Sequence, residues 1–319
     1  MNKKLCVVGA GYWGKNHIRT LSEIGALQGI VESNEELLSS VLKDYPKVEG
    51  YKSIEEALKN QYDGYTIATP AETHYELAKK VILSKKHVLV EKPMTLLVED
   101  AEDLVKTAKV NNVNLMVGHV LLFHPAILKI KEIVKSGDIG DLQYIYSNRL
   151  NLGKIRSEEN VFWSFAPHDI AIFQFLTNSF PKNIHAESST FVQDGVPDST
   201  LTHLEYENGV KGHIFVSWLH PFKEHRLGVI GSEAMISFED SKEGNPLKYH
   251  SKKFDLIEGI PEKVDGPVRS ILYKKEMPLK AELKYFINSM ENNDIHLNSG
   301  EQGLDVIKIL MKASQQIKT

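Results

Sequence analysis

The run Leu5-Cys6-Val7-Val8 followed at once by Gly9-Ala10-Gly11-Tyr12-Trp13-Gly14 constrains this chain more than any other stretch. A short apolar strand turns through G-x-G-x-x-G into the helix-forming segment Asn16 to Leu21, which is the opening of a βαβ unit. In such a turn the first glycine permits a tight bend, the second lets backbone approach a pyrophosphate, and the third allows helix and strand to pack closely. The helix N-terminus then faces the anion. Glycine turns after strands are common, so the weight falls on the next strand, Gly29-Ile30-Val31-Glu32. Its acidic end lies roughly 20 residues beyond the glycines, where a carboxylate accepts hydrogen bonds from an adenosine ribose. A carboxylate there also repels a 2′-phosphate, and Ser33-Asn34 supplies no arginine to pair with one, so NAD is expected rather than NADP. The plain alternative is that Glu32 is a solvated strand-end residue.

At 319 residues the chain exceeds what one core usually fills, and two domains are expected, 1–120 and 121–299, with a last helix at about 300–319 returning to the first. Lys and Arg total 38 against 42 Asp and Glu, a net charge of −4, which gives no basic field for nucleic acid. The single cysteine, Cys6, lies inside the first strand and reads as a core thiol. No stretch approaches the roughly 20 apolar residues of a membrane span, and the start Met-Asn-Lys-Lys has no apolar h-region, so a cytoplasmic location is expected. No Cys/His/Asp cluster has metal-ligand spacing, so no metal is expected.

Strands and helices alternate through the first third. Helices are expected at Glu35 to Lys43, after a serine cap at Ser53, from a Thr73 cap through His74 to Ser84, and at about Leu97 to Asn111. Strands fall at Gly64 to Thr69, Val88 to Glu91 and Asn114 to His119. This is a doubly wound parallel sheet whose carboxyl ends carry Gly9, Glu32, Thr69, Lys92 and His119, the edge where ligands bind in such folds. Past Pro125 the texture changes. After a helix at Ile127 to Lys135, β-type alternation appears at Leu142 to Leu150, Asn183 to Val192, Thr200 to Tyr206, Val210 to Trp218 and Leu227 to Phe238, with an Asn208-Gly209 hairpin signal. The second domain is therefore α+β with a large, open, mostly antiparallel sheet, one face on helices and the other free to pair with a second subunit. Glu239 to Gly266 reads as a loop-dominated insertion, and the final helices fall near Leu279 to Met290 and Gly303 to Lys318.

The order Gly9-Ala10-Gly11-Tyr12-Trp13-Gly14, then Ala68-Thr69-Pro70 with His74, then Glu91-Lys92-Pro93, resembles the glucose–fructose oxidoreductase/inositol dehydrogenase (Gfo/Idh/MocA) family over nearly the whole chain. The resemblance implies a Rossmann domain that holds NAD through Gly9, Gly11, Tyr12, Trp13, Gly14, Glu32, Thr69, Pro70, His74, Glu91 and Lys92, with a Lys92–Pro93 bond that is often cis. It also implies oxidation or reduction of a sugar or polyol hydroxyl, with Lys92 set against nicotinamide and hydroxyl. The chemistry fits a lysine: oxidising a carbinol removes a hydride from carbon and a proton from oxygen, and a group at the hydroxyl must take that proton. Beside a cationic ring an amine loses proton affinity and becomes a base or part of a relay.

His168, in Trp163-Ser164-Phe165-Ala166-Pro167-His168-Asp169, matches the family histidine that lines the substrate pocket and shares proton transfer. The family pattern has an aspartate four residues earlier; this chain has Ser164, so the acid–base pair is altered. Asp169 either orients His168 or caps a following helix. His119 and His124 are equally suited to structural and functional roles. Asn148 to Arg156 concentrates cations and amides, which suits a pyrophosphate or nucleobase or else a solvated loop. This stretch is similar to the family branch acting on UDP-N-acetylglucosamine-type sugars, which implies substrate contacts from Arg149, Asn151, Lys154, Arg156 and Asp169, a 3-keto product, and a pyridoxal-phosphate aminotransferase as pathway neighbour. Trp218, His220, Lys223 and Arg226 either extend that pocket or belong to the sheet surface. A free sugar or cyclitol is the alternative substrate, and a non-catalytic NAD-binding sensor or subunit the alternative role. A homodimer or homotetramer through the open sheet is expected.

Overall fold

A computed structural model describes residues 3–153, 159–244, 246–292 and 295–317. The chain forms two compact units. One runs to Phe123 and takes in Glu276–Lys308; the other comprises His124–Lys275 and the segment from Ile309 onward.

In the first unit β1 (Leu5–Val8), α1 (Tyr12–Ile24), β2 (Leu27–Val31), α2 (Glu35–Asp44), β3 (Glu49–Tyr51), α3 (Ile54–Ala57), β4 (Gly64–Ile67), α4 (His74–Leu83), β5 (His87–Glu91), α5 (Val98–Asn111) and β6 (Leu115–Gly118) alternate as expected. The six strands are all parallel, in the order β3-β2-β1-β4-β5-β6. β1, β4 and β6 are buried along their whole length, so both faces of these strands are apolar, as a sheet covered on both sides requires. Register does the positioning. Val31, Val8, Ile67, Val90 and Val117 pair in one row across five strands, so the next residues, Glu32, Gly9, Ala68, Glu91 and Gly118, emerge together at the carboxyl edge. Strand order reverses between β1 and β4 at this edge, the place where such sheets bind ligands.

The second unit holds α6 (Pro125–Ser136), β7 (Leu142–Leu150), α7 (Val161–Thr177), β8 (Pro181–Ser189), β9 (Ser199–Tyr206), β10 (Lys211–Ser217), β11 (Glu224–Gly231), β12 (Met235–Glu239), β13 (Leu247–Ile257) and β14 (Ile260–Ser270). Its eight strands follow the order β14-β13-β12-β11-β7-β10-β9-β8, antiparallel except for β7 with β10. α7 covers one face, where Ile145, Thr202, Leu204, Ile214 and Val216 are buried; Tyr144, Tyr146, His203, His213 and Phe215 alternate onto the other. The Asn208-Gly209 turn joins β9 to β10, with Gly209 at φ +84°.

Four expectations are corrected. The segment 239–266 is not a loop: β13 and β14 are the longest strands of the sheet, joined at Glu258-Gly259, both with positive φ. The run Leu227 to Phe238 is two strands, β11 and β12, paired as a hairpin. Asn183 to Val192 gives way to β8, because Phe191 and Val192 turn their amides onto the buried Asp198 carboxylate and leave the sheet. The boundary at 121–299 also shifts. Helix α8 (Pro278–Asn292) buries Leu279, Leu283, Phe286 and Met290 in the same core as Leu5, Ile18 and Leu21, and so belongs to the first unit. The last helix, α9 (Gly300–Ser314), belongs to the first unit only as far as Lys308.

Candidate functional site

At the dinucleotide edge, Gly9 has φ +95°, a conformation that favours glycine, and a Cβ on Gly14 would run into the Gly9 carbonyl. At Gly11, the residue before α1, a Cβ would meet nothing, and no side chain caps the helix. Its first-turn amides are left for an anion, as a pyrophosphate requires. Glu32 follows β2 directly, and its carboxylate accepts from the Ala10 amide at 2.9 Å and the Asn34 amide at 3.0 Å. It thus holds the glycine turn itself; one oxygen also accepts from the Ser33 hydroxyl at 3.5 Å, and the other, bonded to Ala10, retains a lone pair for a ribose hydroxyl. These residues fit a dinucleotide.

Next to this turn lies a buried polar group. His17, on α1, places Nε2 at 2.8 Å from the Glu91 carboxylate. The Trp13 ring lies edge-on to His17 with ring centres 6.3 Å apart, and its indole N–H is beside Glu91. Burial alone would raise the Glu91 carboxyl; the bond and charge of His17, with Trp13 and Lys92, outweigh it and hold it below the usual range. Gly118 is required opposite it, since a Cβ there would meet the carboxylate at 2.8 Å. The Lys92 amide faces the Glu91 carboxylate at 3.3 Å, and the Lys92–Pro93 peptide is cis. Glu282, fully buried on α8, differs. Among the described residues it has only the Asn298 amide, at 3.5 Å, and burial next to Glu91 pushes its carboxyl well up. Asn298 also donates to the His119 carbonyl at 3.1 Å, and burial pushes the His119 imidazole down to about 4. The proton affinities of two buried glutamates are thus driven in opposite directions.

In the second unit α7 is capped by Asn160, whose side chain accepts from the Trp163 amide at 3.1 Å, and it carries Ser164, His168 and Asp169 within its length. The partly buried Arg149 guanidinium, from β7, grips the buried Asp169 with two bonds of 2.8 and 3.0 Å. Burial lowers the guanidinium's proton affinity, but Asp169 more than restores it. His225 pairs across from Arg149, and burial together with Arg149 and Lys223 pushes its imidazole down to about 4.

Residues 3–119 match the family model described as an oxidoreductase family with an NAD-binding Rossmann fold, and residues 127–237 match the GFO/IDH/MocA C-terminal domain. The chain belongs to the GFO/IDH/MocA oxidoreductase family. It is an oxidoreductase that binds NAD. The UDP-N-acetylglucosamine 3-dehydrogenase of Acidithiobacillus ferrooxidans is 26% identical over 285 residues, 89% of this chain and 87% of that protein. The myo-inositol 2-dehydrogenase of Thermotoga maritima is 23% identical over 314 residues, 94% of this chain and 92% of that protein. The solved structure of the A. ferrooxidans enzyme superposes with a TM-score of 0.87 over 99% of this chain and 98% of that one, at 23% identity. The WlbA dehydrogenase from Bordetella pertussis, solved with NADH and UDP-GlcNAcA, gives 0.79 over 99% and 96%, at 18% identity. These likenesses speak for the fold.

Within this family frame, Gly9, Gly11, Gly14, Glu32, Thr69, Glu91 and Lys92 share the carboxyl edge, and Tyr12, 90% exposed, begins α1 beside it. His74 is placed differently from its expected role as a direct cofactor contact: it is buried, with both ring nitrogens on backbone carbonyls. Thr73 does not cap α4 through its side chain; its hydroxyl donates to the Pro70 carbonyl at 2.7 Å. Asp169 is inside α7 and caps nothing. Arg149, expected at a pyrophosphate, spends two donors on Asp169 and positions that carboxylate. Asn151 follows β7 with its amide on the Ser217 carbonyl at 3.1 Å. Lys154 and Arg156 lie outside the described residues. Trp218 is core, edge-on to Phe165, and Arg226 belongs to a sheet-surface ion pair with Glu239 at 3.0 Å. Sequence reasoning missed His17, Glu282 and Asn298. For His17 a signal existed: it lies one turn after Gly14, on the helix face that packs on the sheet. No group of three or more metal-ligating side chains is present among the described residues, and no helix among them is long and apolar enough to cross a membrane.

Proposed function

We propose that this oxidoreductase oxidises a secondary hydroxyl of a nucleotide-linked sugar, the 3-hydroxyl of UDP-N-acetylglucosamine or a close relative. The observation that carries the reading is the relative named for that reaction, aligned over nearly nine-tenths of both chains. Bound NAD supplies the hydride acceptor. The protein supplies the proton acceptor: the Lys92 amine takes the hydroxyl proton as the carbon gives up its hydride, leaving a ketone. Glu91, ionised and locked by His17, fixes the residue before Lys92 and keeps one compensated negative charge under the turn. His168 is the second proton-handling group by the family pattern. With Ser164 in place of the aspartate, Lys92 carries the larger share. The 3-keto product is a substrate for a pyridoxal-phosphate aminotransferase, and the work is placed in the cytoplasm. The half-exposed sheet face bearing Tyr144, Tyr146, His213 and Phe215 is the surface assigned to a second copy, in a homodimer or homotetramer.

A free cyclitol is the second reading, favoured by the inositol dehydrogenase aligned over 94% of the chain and by Arg149 being bound to Asp169 rather than open to a phosphate. NADH formation with UDP-N-acetylglucosamine, free N-acetylglucosamine and myo-inositol separates the two. Turnover of the UDP-sugar alone supports the proposal, and turnover of myo-inositol alone replaces it with the second reading.

A further inference from the structure

His74 opens α4 at 1% exposure, and both ring nitrogens meet backbone carbonyls: Nδ1 lies 2.8 Å from the Pro93 oxygen and Nε2 2.9 Å from the Thr69 oxygen. One carbonyl belongs to the turn after β4, the other to the turn that carries Lys92. A carbonyl oxygen only accepts, whereas a neutral imidazole has one N–H and one lone pair. In the neutral form one of the two contacts would set lone pair against lone pair at hydrogen-bond length. Both are attractive only when both nitrogens carry hydrogen, and both lengths are those of well-formed N–H···O bonds. Burial outweighs the two carbonyls and the carboxylates of Glu91 and Glu72 and pulls the ring's proton affinity below its ordinary value, a direction that the paired carbonyl contacts oppose. The contact geometry decides for the charged ring.

We infer that His74 is a positioning residue in its imidazolium form, clamping the Lys92–Pro93 turn to the Thr69–Pro70 turn and holding a fixed positive charge beside the turn that carries Lys92. Like charges lower each other's proton affinity, so this cation prepares Lys92 to act as a base before any dinucleotide arrives. The clamp stands on geometry alone; its effect on Lys92 rests on the role proposed for that residue above.

The full-length protein labelled with [13C]histidine tests the protonation state without any substrate. The His74 ring resonance is assigned by its absence in His74→Gln, or through the labelled backbone should the variant not fold. An imidazolium shift that persists from about pH 6 to about pH 8, above the ordinary histidine range, is expected. A neutral-ring shift at about pH 7 overturns the inference. The second readout is the acid limb of the kcat/KM pH profile, measured with whichever substrate turns over. His74→Gln moves it up by about one unit, because Lys92 loses a like-charged neighbour. A uniform loss of rate with the limb unmoved reduces His74 to scaffolding and contradicts the effect on Lys92. Charged His74 in a protein that leaves the UDP-sugar untouched would retain the clamp and discard only the substrate reading.

Discussion

Single buried charges decide the site. Glu282 and Glu91 are both glutamates in the core of the first unit, yet His17 gives one a hydrogen-bond partner at 2.8 Å and the other, among the described residues, has only a long amide contact. An acid whose folded-state pKa is raised adds stability below its unfolded value of 4.5 and loses it as pH climbs toward the folded value. Gln has no proton to lose. Glu282→Gln is therefore expected to match the parent in melting temperature at acid pH and exceed it increasingly as pH rises above that value, as a scanning calorimetry series would read. Equal offsets at every pH would show that folding leaves the proton affinity of Glu282 unchanged. Arg149→Ala leaves Asp169 as an uncompensated buried carboxylate, a loss of about 3 kcal/mol in unfolding free energy, and Arg149→Lys recovers only part because an ammonium lacks the two-pronged grip. Urea unfolding checks both; an unaffected Arg149→Ala would return the guanidinium to the substrate.

At the scale of elements, the glycine turn and α1 form one device. A methyl on Gly14 has nowhere to go but into the Gly9 carbonyl, so Gly14→Ala separates α1 from β1 and weakens NAD binding tenfold or more, at least ~1.4 kcal/mol by calorimetric titration. Gly11→Ala, whose methyl enters open space, folds normally and loses affinity only where the dinucleotide approaches. The parallel strands were legible because full burial writes itself as unbroken apolar runs such as Leu5 to Val8. β13 and β14 were not, for the converse reason: Lys252, Lys253, Asp255, Glu262, Lys263 and Asp265 break any clean alternation on a hairpin that buries neither face deeply. What marked it was the Glu258-Gly259 turn, with φ of +53° and +83°, a two-residue hairpin signature that the charge density obscured. The site was legible where chemistry sits in a contiguous motif, as at Glu91-Lys92-Pro93. It was opaque where the partner is far along the chain, as with Glu91 and His17, 74 positions apart.

For the whole molecule, α8 shows why a boundary drawn from texture failed. A helix from the far end of the chain completes the first unit's core and delivers Glu282 and, just beyond it, Asn298 to the carboxyl edge. Truncation after Lys275 is thus expected to unfold the dinucleotide unit as well, seen as loss of NAD binding and of cooperative melting. The sheet face assigned to a second copy makes a separate prediction: Tyr146→Arg lowers the mass found by light scattering while the monomer's secondary structure, by circular dichroism, is kept. An unchanged mass moves the assembly elsewhere. The central claim, that Lys92 takes a proton while the sugar's C3 gives its hydride to NAD, is tested most directly with UDP-N-acetylglucosamine deuterated at C3. The account predicts deuterated NADH from the parent protein and none from a folded, NAD-binding Lys92→Met; unlabelled NADH, or a variant that turns over at the parent's rate, would contradict it.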